Sequence, residues 1–126
     1  ARFRSIGSAT SAGALHYTSN GTLTTNTSDE RLKENITEID NALDKVTSLR
    51  GVYYTWKEEL QGDRVIGSLA QEVLTAVPEL AFTNDNTGYM GVHYDKMGPL
   101  LIEAIKEQQE LIRDLQERIA ILEEQG

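Results

Sequence analysis

Hydrophobic side chains in the C-terminal quarter of the chain recur at alternating steps of four and three residues. The repeat passes through Leu101, Ile105, Gln108, Ile112, Leu115, Ile119 and Leu122. It predicts one long helix, from Lys96 or Pro99 to Glu124, with isoleucine at heptad position a and mostly leucine at position d. A lone helix would expose this stripe to water. The pattern therefore demands a partner helix, and self-association is its simplest source.

The number of helices in such an assembly stays open at this point. Isoleucine at a with leucine at d favours two strands. Gln108 interrupts the d layer, and a buried polar ring of this kind fixes the register at a cost in stability. Leu111 and Ile121 lie outside the repeat and widen the predicted contact surface.

A shorter periodic segment predicts a first helix from Ile36 to Leu49. Thr37 is a good N-cap residue, with Asp40 at the third helical position. Arg50 and Gly51 end the helix. One apolar face is formed by Ile36, Ile39, Leu43, Val46 and Leu49.

The segment between the two helical patterns predicts short strands and one further helix. β-branched and aromatic runs favour strands at 52–57, 65–69, 80–83 and 89–94, joined by polar turns at 58–63 and 84–88. Trp56 is expected to anchor the core. A short helix is expected from Ala70 to Ala76, ending before Pro78, and its inward-facing set is Ala70, Val73, Leu74 and Val77.

Residues 1–27 carry little charge and are rich in Ser, Thr, Gly and Asn. The Asn20–Gly21 pair suits a type I′ turn, so a β-hairpin is predicted with strands at 15–18 and 22–25. A disordered Ser/Thr linker is the alternative. Because two strands alone are marginal in water, this hairpin needs strands from an upstream segment or from neighbouring subunits.

Taken together, these elements predict an α+β fold in three parts. A β-rich stub (1–27) precedes a small mixed α/β part (28–97), which is expected to pack against helices of neighbouring subunits because its own apolar content is small. A coiled-coil helix (98–126) completes the chain. The abrupt start at Ala1-Arg2-Phe3-Arg4 suggests a piece of a longer chain.

Composition excludes several classes of function. Acidic residues outnumber basic ones by 20 to 12, for a net charge of −8, which argues against a nucleic-acid partner. There is no cysteine, and His16 and His93 are far apart, so neither a disulfide nor a metal site is expected. The two Asx-rich runs lack the ligand spacing of an EF-hand. No apolar run is long enough for a membrane span, and no cofactor motif is present.

The most informative pair of polar residues is Ser28 and Lys33, which lies where the Ser/Thr-rich segment gives way to charged, periodic sequence. A serine hydroxyl and a neutral lysine amine can act as nucleophile and general base. Spacing alone is weak support, and a surface loop with a solvated lysine is the alternative. Gln71 and Glu72 are interpreted as a capped, partly exposed helix start rather than a catalytic pair.

Three ordered blocks, spanning about residues 28–110, resemble the C-terminal intramolecular chaperone domain (peptidase S74) of phage tailspikes, tail fibres and endosialidases. The first block is Ser28-Asp29-Glu30-Arg31-Leu32-Lys33-Glu34-Asn35-Ile36. The second is Ile66-Gly67-Ser68-Leu69-Ala70-Gln71-Glu72-Val73 with Val77-Pro78-Glu79-Leu80. The third is Tyr89-Met90-Gly91-Val92-His93-Tyr94-Asp95-Lys96 leading into Leu100-Leu101-Ile102-Glu103-Ala104-Ile105-Lys106.

The resemblance implies a homotrimer that assists folding of the upstream fibre or stem of its own polypeptide and then releases itself by autoproteolysis. It implies a cut between Thr27 and Ser28, with Ser28 as nucleophile and Lys33 as base. The sequence does not identify the oxyanion donors, and backbone amides near Ser28 are the default assignment. The resemblance also implies a virion tail fibre or tailspike precursor assembled in the host cytoplasm. Asp29, Glu30 and Asn35 are assigned loop-capping or salt-bridge roles. A metazoan family of membrane-bound transcription factors carries a similar domain, so the resemblance alone does not assign a phage source.

Two other functions compete with this one. A non-catalytic coiled-coil trimerisation module of a fibrous protein would need only the heptad repeat. A conventional hydrolase acting on an external substrate is less well supported, because the sequence shows no recognisable Ser/His/Asp set, paired-carboxylate cleft or metal cluster.

Overall fold

The computed structural model describes the strands 15–17 and 23–25, residues 27–57 and residues 62–126. The chain divides into two compact units, Ala1–Thr37 and Glu38–Gly126. Among the described residues, secondary structure is mixed: three two-stranded antiparallel sheets, three α-helices and short 3-10 turns. The α+β class and the long C-terminal helix are therefore confirmed. The boundaries predicted after residues 27 and 97 stay predictions.

In the first unit, β1 (Leu15–Tyr17) pairs with β2 (Leu23–Thr25) in antiparallel register, with Leu15 opposite Thr25 and Tyr17 opposite Leu23. The predicted hairpin is confirmed at the level of its strands. The Asn20–Gly21 turn lies outside the described residues. After the hairpin, residues 30–32 form a single 3-10 turn.

In the second unit, the elements follow one another as short strands and helices before one long helix. They are α1 (Ala42–Thr47), β3 (Val52–Tyr54), β4 (Val65–Gly67), α2 (Ala70–Ala76), β5 (Ala81–Thr83), β6 (Met90–Val92) and α3 (Met97–Gln125). β3 pairs with β4, and β5 pairs with β6. The predictions of α2, α3 and four strands are confirmed, although each strand is shorter than expected.

The predicted first helix is wrong at its N-terminal end. It begins at Ala42 rather than after Thr37, because Asn41 adopts a left-handed conformation with φ 49°. The N-cap role of Thr37 is therefore also wrong. Instead, Glu107 of α3 caps the helix, since its Oε2 accepts hydrogen bonds from the backbone N–H groups of Ala42 and Leu43 at 2.6 and 3.3 Å. A carboxylate supplied by tertiary contact replaces the local N-cap.

The core of the second unit lies where α1, α2 and the 3-10 turn Pro78–Leu80 meet the first turns of α3. Its buried side chains are small or branched, which allows these short elements to approach closely. They are Ala42, Val73, Val77, Leu80, Leu100 and Ala104. Within the second unit, the elements before α3 therefore pack against the helix of their own chain. The predicted contact of the mixed part with neighbouring subunits stays a prediction.

Three residues assigned to the core or to the apolar helix face are exposed. Trp56 is 52% exposed and packs edge-on against Tyr54, so its role as core anchor is wrong. Ile36 precedes α1, and Leu74 lies on the outer side of α2. The physical reason is size: a two-stranded hairpin and a two-turn helix each bury only one face against so small a core.

The hairpin β5–β6 closes with a turn that depends on polar caps and one glycine. Asn84 Oδ1 accepts a hydrogen bond from the backbone of Asn86 at 2.9 Å, and Gly88 N–H donates to the Asn84 carbonyl at 2.7 Å. Gly88 has φ 75°, a conformation that a side chain disfavours. The predicted turn at 84–88 is therefore confirmed.

The heptad positions of α3 remain uncovered in the single chain. The exposed fractions of the apolar side chains at these positions run from 43% at Ile112 to 67% at Leu122. Among the described residues, no helix combines the length and apolar character needed to cross a membrane.

Candidate functional site

The candidate site is one tight turn at the start of the charged region. Asp29 is the N-cap of the 3-10 turn Glu30–Leu32, and its side chain accepts a hydrogen bond from the backbone of Arg31. The backbone N–H of Lys33 donates to the Glu30 carbonyl at 3.0 Å and closes the turn. This local geometry explains how residues five apart in sequence reach one another, because a 3-10 turn advances only about 2 Å per residue.

The turn brings the two residues of the predicted dyad together. Lys33 Nζ donates a hydrogen bond to Ser28 Oγ at 2.6 Å. Both side chains are exposed in the single chain. A hydroxyl in contact with an amine is the arrangement that a Ser/Lys nucleophile and base pair requires.

Asp29 is engaged by Arg31 rather than by the lysine. Arg31 Nε and Nη2 donate to the two carboxylate oxygens at 3.1 and 2.8 Å. The Arg31 guanidinium holds the pKa of the Asp29 carboxyl below its ordinary value, and Asp29 in turn raises the pKa of Arg31. The capping and salt-bridge role predicted for Asp29 is confirmed. The pairing of Arg31 with Asp29 was not predicted from the sequence, although an Asp-x-Arg spacing across a turn was a usable signal.

Three backbone amides of this turn are already in use. Arg31 N–H donates to the Asp29 side chain, Leu32 N–H to the Asp29 carbonyl, and Lys33 N–H to the Glu30 carbonyl. An oxyanion would have to find its donors among other groups. The stabilisation of an oxyanion by backbone N–H groups near Ser28 therefore stays a prediction, and these three amides are not available for it.

The remaining polar residues considered from the sequence lie in structural contacts. Glu72 forms a two-pronged ion pair with Arg50, at 3.0 Å from Nε and 2.5 Å from Nη2, which supports the interpretation of Gln71 and Glu72 as non-catalytic. His93 packs its ring on Phe82 at a centroid distance of 4.6 Å. His16 lies on β1. The described residues contain no cluster of three or more His, Asp or Glu side chains arranged to hold a metal ion.

Comparison with known proteins bears directly on the first and second sequence blocks. Residues 28–82 match the family model Peptidase_S74, chaperone of endosialidase. The match begins at Ser28 and includes Lys33.

Two curated phage proteins are also similar to this chain. Long tail fiber protein Gp37 of Enterobacteria phage K3 is 35% identical over 98 residues, covering 73% of this chain and 8% of that protein. Long tail fiber protein Gp37 of Enterobacteria phage T2 is 35% identical over 98 residues, covering 73% of this chain and 7% of that protein. The chain thus spans less than a tenth of the length of these relatives. The resemblance noted from the sequence blocks is confirmed.

Proposed function

We propose that this chain, whose residues 28–82 match the family model Peptidase_S74, chaperone of endosialidase, is the intramolecular chaperone of a phage tail fibre. It assembles as a homotrimer and then releases itself by cutting its own chain between Thr27 and Ser28. The observation that carries the catalytic part is the hydrogen bond of 2.6 Å between Lys33 Nζ and Ser28 Oγ. The matched family model supports the chaperone part, and the relatives, both long tail fibre proteins, support a tail fibre as the structure it serves.

The chaperone role follows from the physics of fibre folding. Trimeric β-stems are built from non-local pairings, so they fold slowly and expose unpaired edges in the meantime. Helix α3 offers a seam of exposed heptad residues that a second and third copy would cover. Once three chains are held together by this seam, the effective concentration of their stems rises and their register is fixed.

The proposed reaction begins with an N-to-O acyl shift. Lys33, in its neutral form, removes the proton from Ser28 Oγ, and the oxygen attacks the carbonyl carbon of Thr27. The tetrahedral intermediate collapses as the C–N bond to Ser28 breaks. The departing nitrogen takes up the proton carried by Lys33. The products of this step are a Thr27 ester on the Ser28 oxygen and a free Ser28 amine.

Hydrolysis of the ester completes the cleavage. Water adds to the Thr27 carbonyl carbon while Lys33 takes one of its protons, and the ester C–O bond breaks as Lys33 gives that proton to Ser28 Oγ. The second proton of the water passes from the new Thr27 carboxyl group to the Ser28 amine. One water is consumed, Thr27 gains a carboxylate, and Ser28 becomes the N-terminus of the released domain. Lys33 ends as it began, so it acts as a proton carrier in both steps.

Assembly supplies a natural control on this chemistry. Ser28 and Lys33 are both exposed to water in one chain. Burial against neighbouring chains favours the neutral form that a base requires. We expect cleavage to follow assembly for this reason. The precursor forms in the host cytoplasm. After the domain is released, the assembled fibre has no chaperone to help it refold once it has unfolded. Its stability is therefore set by the rate of unfolding.

The decisive experiment follows the intact mass of the full chain after dilution from denaturant into native buffer. Wild type is expected to yield two fragments that meet between Thr27 and Ser28, whereas Ser28→Ala and Lys33→Ala stay whole. Ser48→Ala and Lys57→Ala remove an exposed hydroxyl and an exposed amine elsewhere and are expected to cut like wild type. Hydroxylamine added during the reaction should convert the Thr27 ester into a hydroxamate, which is detected by mass.

Two outcomes would contradict the catalytic part. Cleavage that persists in Ser28→Ala would exclude Ser28 as the nucleophile. A wild type that stays whole but forms a stable trimer would favour the alternative, a non-catalytic trimerisation module, which the exposed seam on α3 also supports.

A further inference from the structure

An ion pair lies inside the turn that joins the proposed nucleophile to its base, and the proposed reaction does not use it. Arg31 holds both carboxylate oxygens of Asp29, with Nε at 3.1 Å from Oδ1 and Nη2 at 2.8 Å from Oδ2. Its backbone N–H donates to the same Oδ1 at 2.9 Å. Arg31 therefore donates hydrogen bonds to both oxygens of the Asp29 carboxylate, which directly follows Ser28 in the chain.

The ion pair adds a two-pronged side-chain contact to a turn that backbone hydrogen bonds close. Asp29 caps the 3-10 turn Glu30–Leu32, and Lys33 leaves that turn in an extended conformation. The direction in which Lys33 leaves determines whether its amine reaches Ser28 Oγ. Planar, two-pronged contacts of this type define orientation better than a single hydrogen bond does.

The ion pair also affects which carboxylate is available as a counter-ion for the Lys33 amine. In residues 27–37 the charged side chains other than Lys33 are Asp29, Glu30, Arg31 and Glu34. An ammonium beside a free carboxylate keeps its proton, which a general base must not do. Arg31 occupies the carboxylate closest in sequence to Ser28, so that this carboxylate does not serve as a counter-ion for Lys33.

We propose that Arg31 is a positioning residue for the self-cleavage, which holds the turn between Ser28 and Lys33 and withholds the Asp29 carboxylate from the lysine amine. This inference rests on the proposed function. It assigns Arg31 no contact with the reacting atoms.

The test is the pH dependence of the cleavage rate in the refolding assay, measured on the full chain in buffers from mildly acidic to mildly alkaline. For Arg31→Ala, the pH of half-maximal rate is expected to move to the alkaline side by roughly one unit, with cleavage about tenfold slower near neutrality. The double variant Asp29→Asn/Arg31→Ala is expected to bring the half-maximal pH back, because the freed carboxylate is gone. Arg31→Lys keeps the positive charge but loses the two-pronged guanidinium contact. Its cleavage rate and pH midpoint should lie between those of wild type and Arg31→Ala.

Arg64→Ala is the matched control, since it removes an exposed guanidinium that stacks on Tyr53 in the second unit. It should leave both rate and pH midpoint unchanged. Equal helical circular dichroism and equal oligomer mass in all variants separate a change in chemistry from a change in folding.

Each unfavourable result has its own meaning. If wild type cuts and Arg31→Ala keeps the wild-type rate and midpoint, this inference is overturned while the Ser28–Lys33 reaction stands. A double variant that keeps the alkaline midpoint also overturns it, because Asp29 is then not the cause. A wild type that stays whole, or a Ser28→Ala chain that is cut, overturns the proposed reaction and this inference together.

Discussion

Glu107 Oε2 lies 2.6 Å from the backbone nitrogen of Ala42 and accepts its hydrogen bond, although the two residues are 65 positions apart. The carboxylate satisfies a helix N–H that has no partner within α1, and its negative charge faces the positive end of that helix. Ala42 is fully buried. This contact therefore ties the start of α1 to the long helix at the edge of the core.

Replacing Glu107 should destabilise the second unit. Glu107→Ala is expected to lower the free energy of unfolding by about 1–2 kcal/mol, because two amides at the helix start lose their acceptor. Glu107→Gln keeps an acceptor oxygen without the charge and should cost less. Urea unfolding at one fixed protein concentration measures both effects.

Glu110→Ala is the control for this prediction. Its carboxylate is exposed and pairs with Arg113 at 3.4 Å on the same helix. Its effect should stay within about 0.5 kcal/mol. An equal loss in Glu107→Ala and Glu110→Ala would show that the cap contributes little.

A side chain at Gly91 should disturb the β5–β6 hairpin. A Cβ atom there would lie 2.3 Å from Cζ of Phe82, whose ring packs on His93. Gly91→Ala is therefore expected to lower the free energy of unfolding by about 1–3 kcal/mol. Gly98→Ala meets nothing within 4 Å and lies in α3, so it should be neutral or stabilising by up to about 1 kcal/mol.

The double variant Gly91→Ala/Phe82→Leu tests the cause of that loss. If the clash with the ring is responsible, the smaller side chain should recover part of the stability lost in Gly91→Ala. Thermal unfolding of the single and double variants gives the coupling between the two sites. If the stability loss of the double variant equals the sum of the two single losses, the clash with the Phe82 ring is not the cause of the loss in Gly91→Ala.

Stability should fall in acid through the Glu72–Arg50 ion pair. The Arg50 side chain lowers the pKa of the Glu72 carboxyl below its ordinary value of 4.5. A carboxyl whose pKa is lower in the folded state contributes stability that is fully present above its unfolded value. That contribution is lost as the pH falls through the folded value. We therefore expect the stabilisation by the Glu72–Arg50 ion pair to be constant from neutrality down to about pH 4.5 and to be lost at lower pH.

The measurement is Tm as a function of pH for wild type and Glu72→Gln. Because Asp29 and Asp40 also have lowered pKa values, the informative quantity is the difference between the two proteins. The difference should shrink as the pH falls below 4.5. Glu79→Gln, an exposed position on the neighbouring 3-10 turn, is the control. A difference that stays constant into acid would mean that the ion pair does not stabilise the fold.

The exposed seam on α3 should determine the oligomeric state. Ile112→Lys, made in the uncut Ser28→Ala chain, places a charge at an a position and is expected to abolish association. Glu117→Ala changes the helix surface away from the seam and should leave it intact. Light scattering should give about three times the chain mass of 14.0 kDa for the parent and for Glu117→Ala, and one chain mass for Ile112→Lys.

The seam variant also links assembly to cleavage. With Ser28 restored, an Ile112→Lys chain that is monomeric should cut much more slowly than the trimer, because its dyad stays exposed to water. A monomer that cuts at the trimer's rate would contradict control by assembly. A parent of two chain masses would favour the two-stranded assembly that isoleucine at a and leucine at d suggest.

The sequence by itself determined those features that depend on neighbouring residues. The heptad spacing predicted α3 because a helix repeats its face every three to four residues, and this signal persisted over several turns. Helix α2 was predicted with its observed bounds, since Pro78 stops it locally. The contact between Ser28 and Lys33 is of the same kind, because one 3-10 turn of adjacent residues produces it.

Only the tertiary structure decided where α1 begins and which apolar side chains are buried. Thr37 offered a sound local cap, but the carboxylate of Glu107, far along the chain, caps the helix at Ala42 instead. Trp56 has the composition of a core residue, yet its short hairpin leaves it half exposed. Such outcomes depend on which distant surfaces meet and on how much area a small core can cover, and neither quantity is encoded in local spacing.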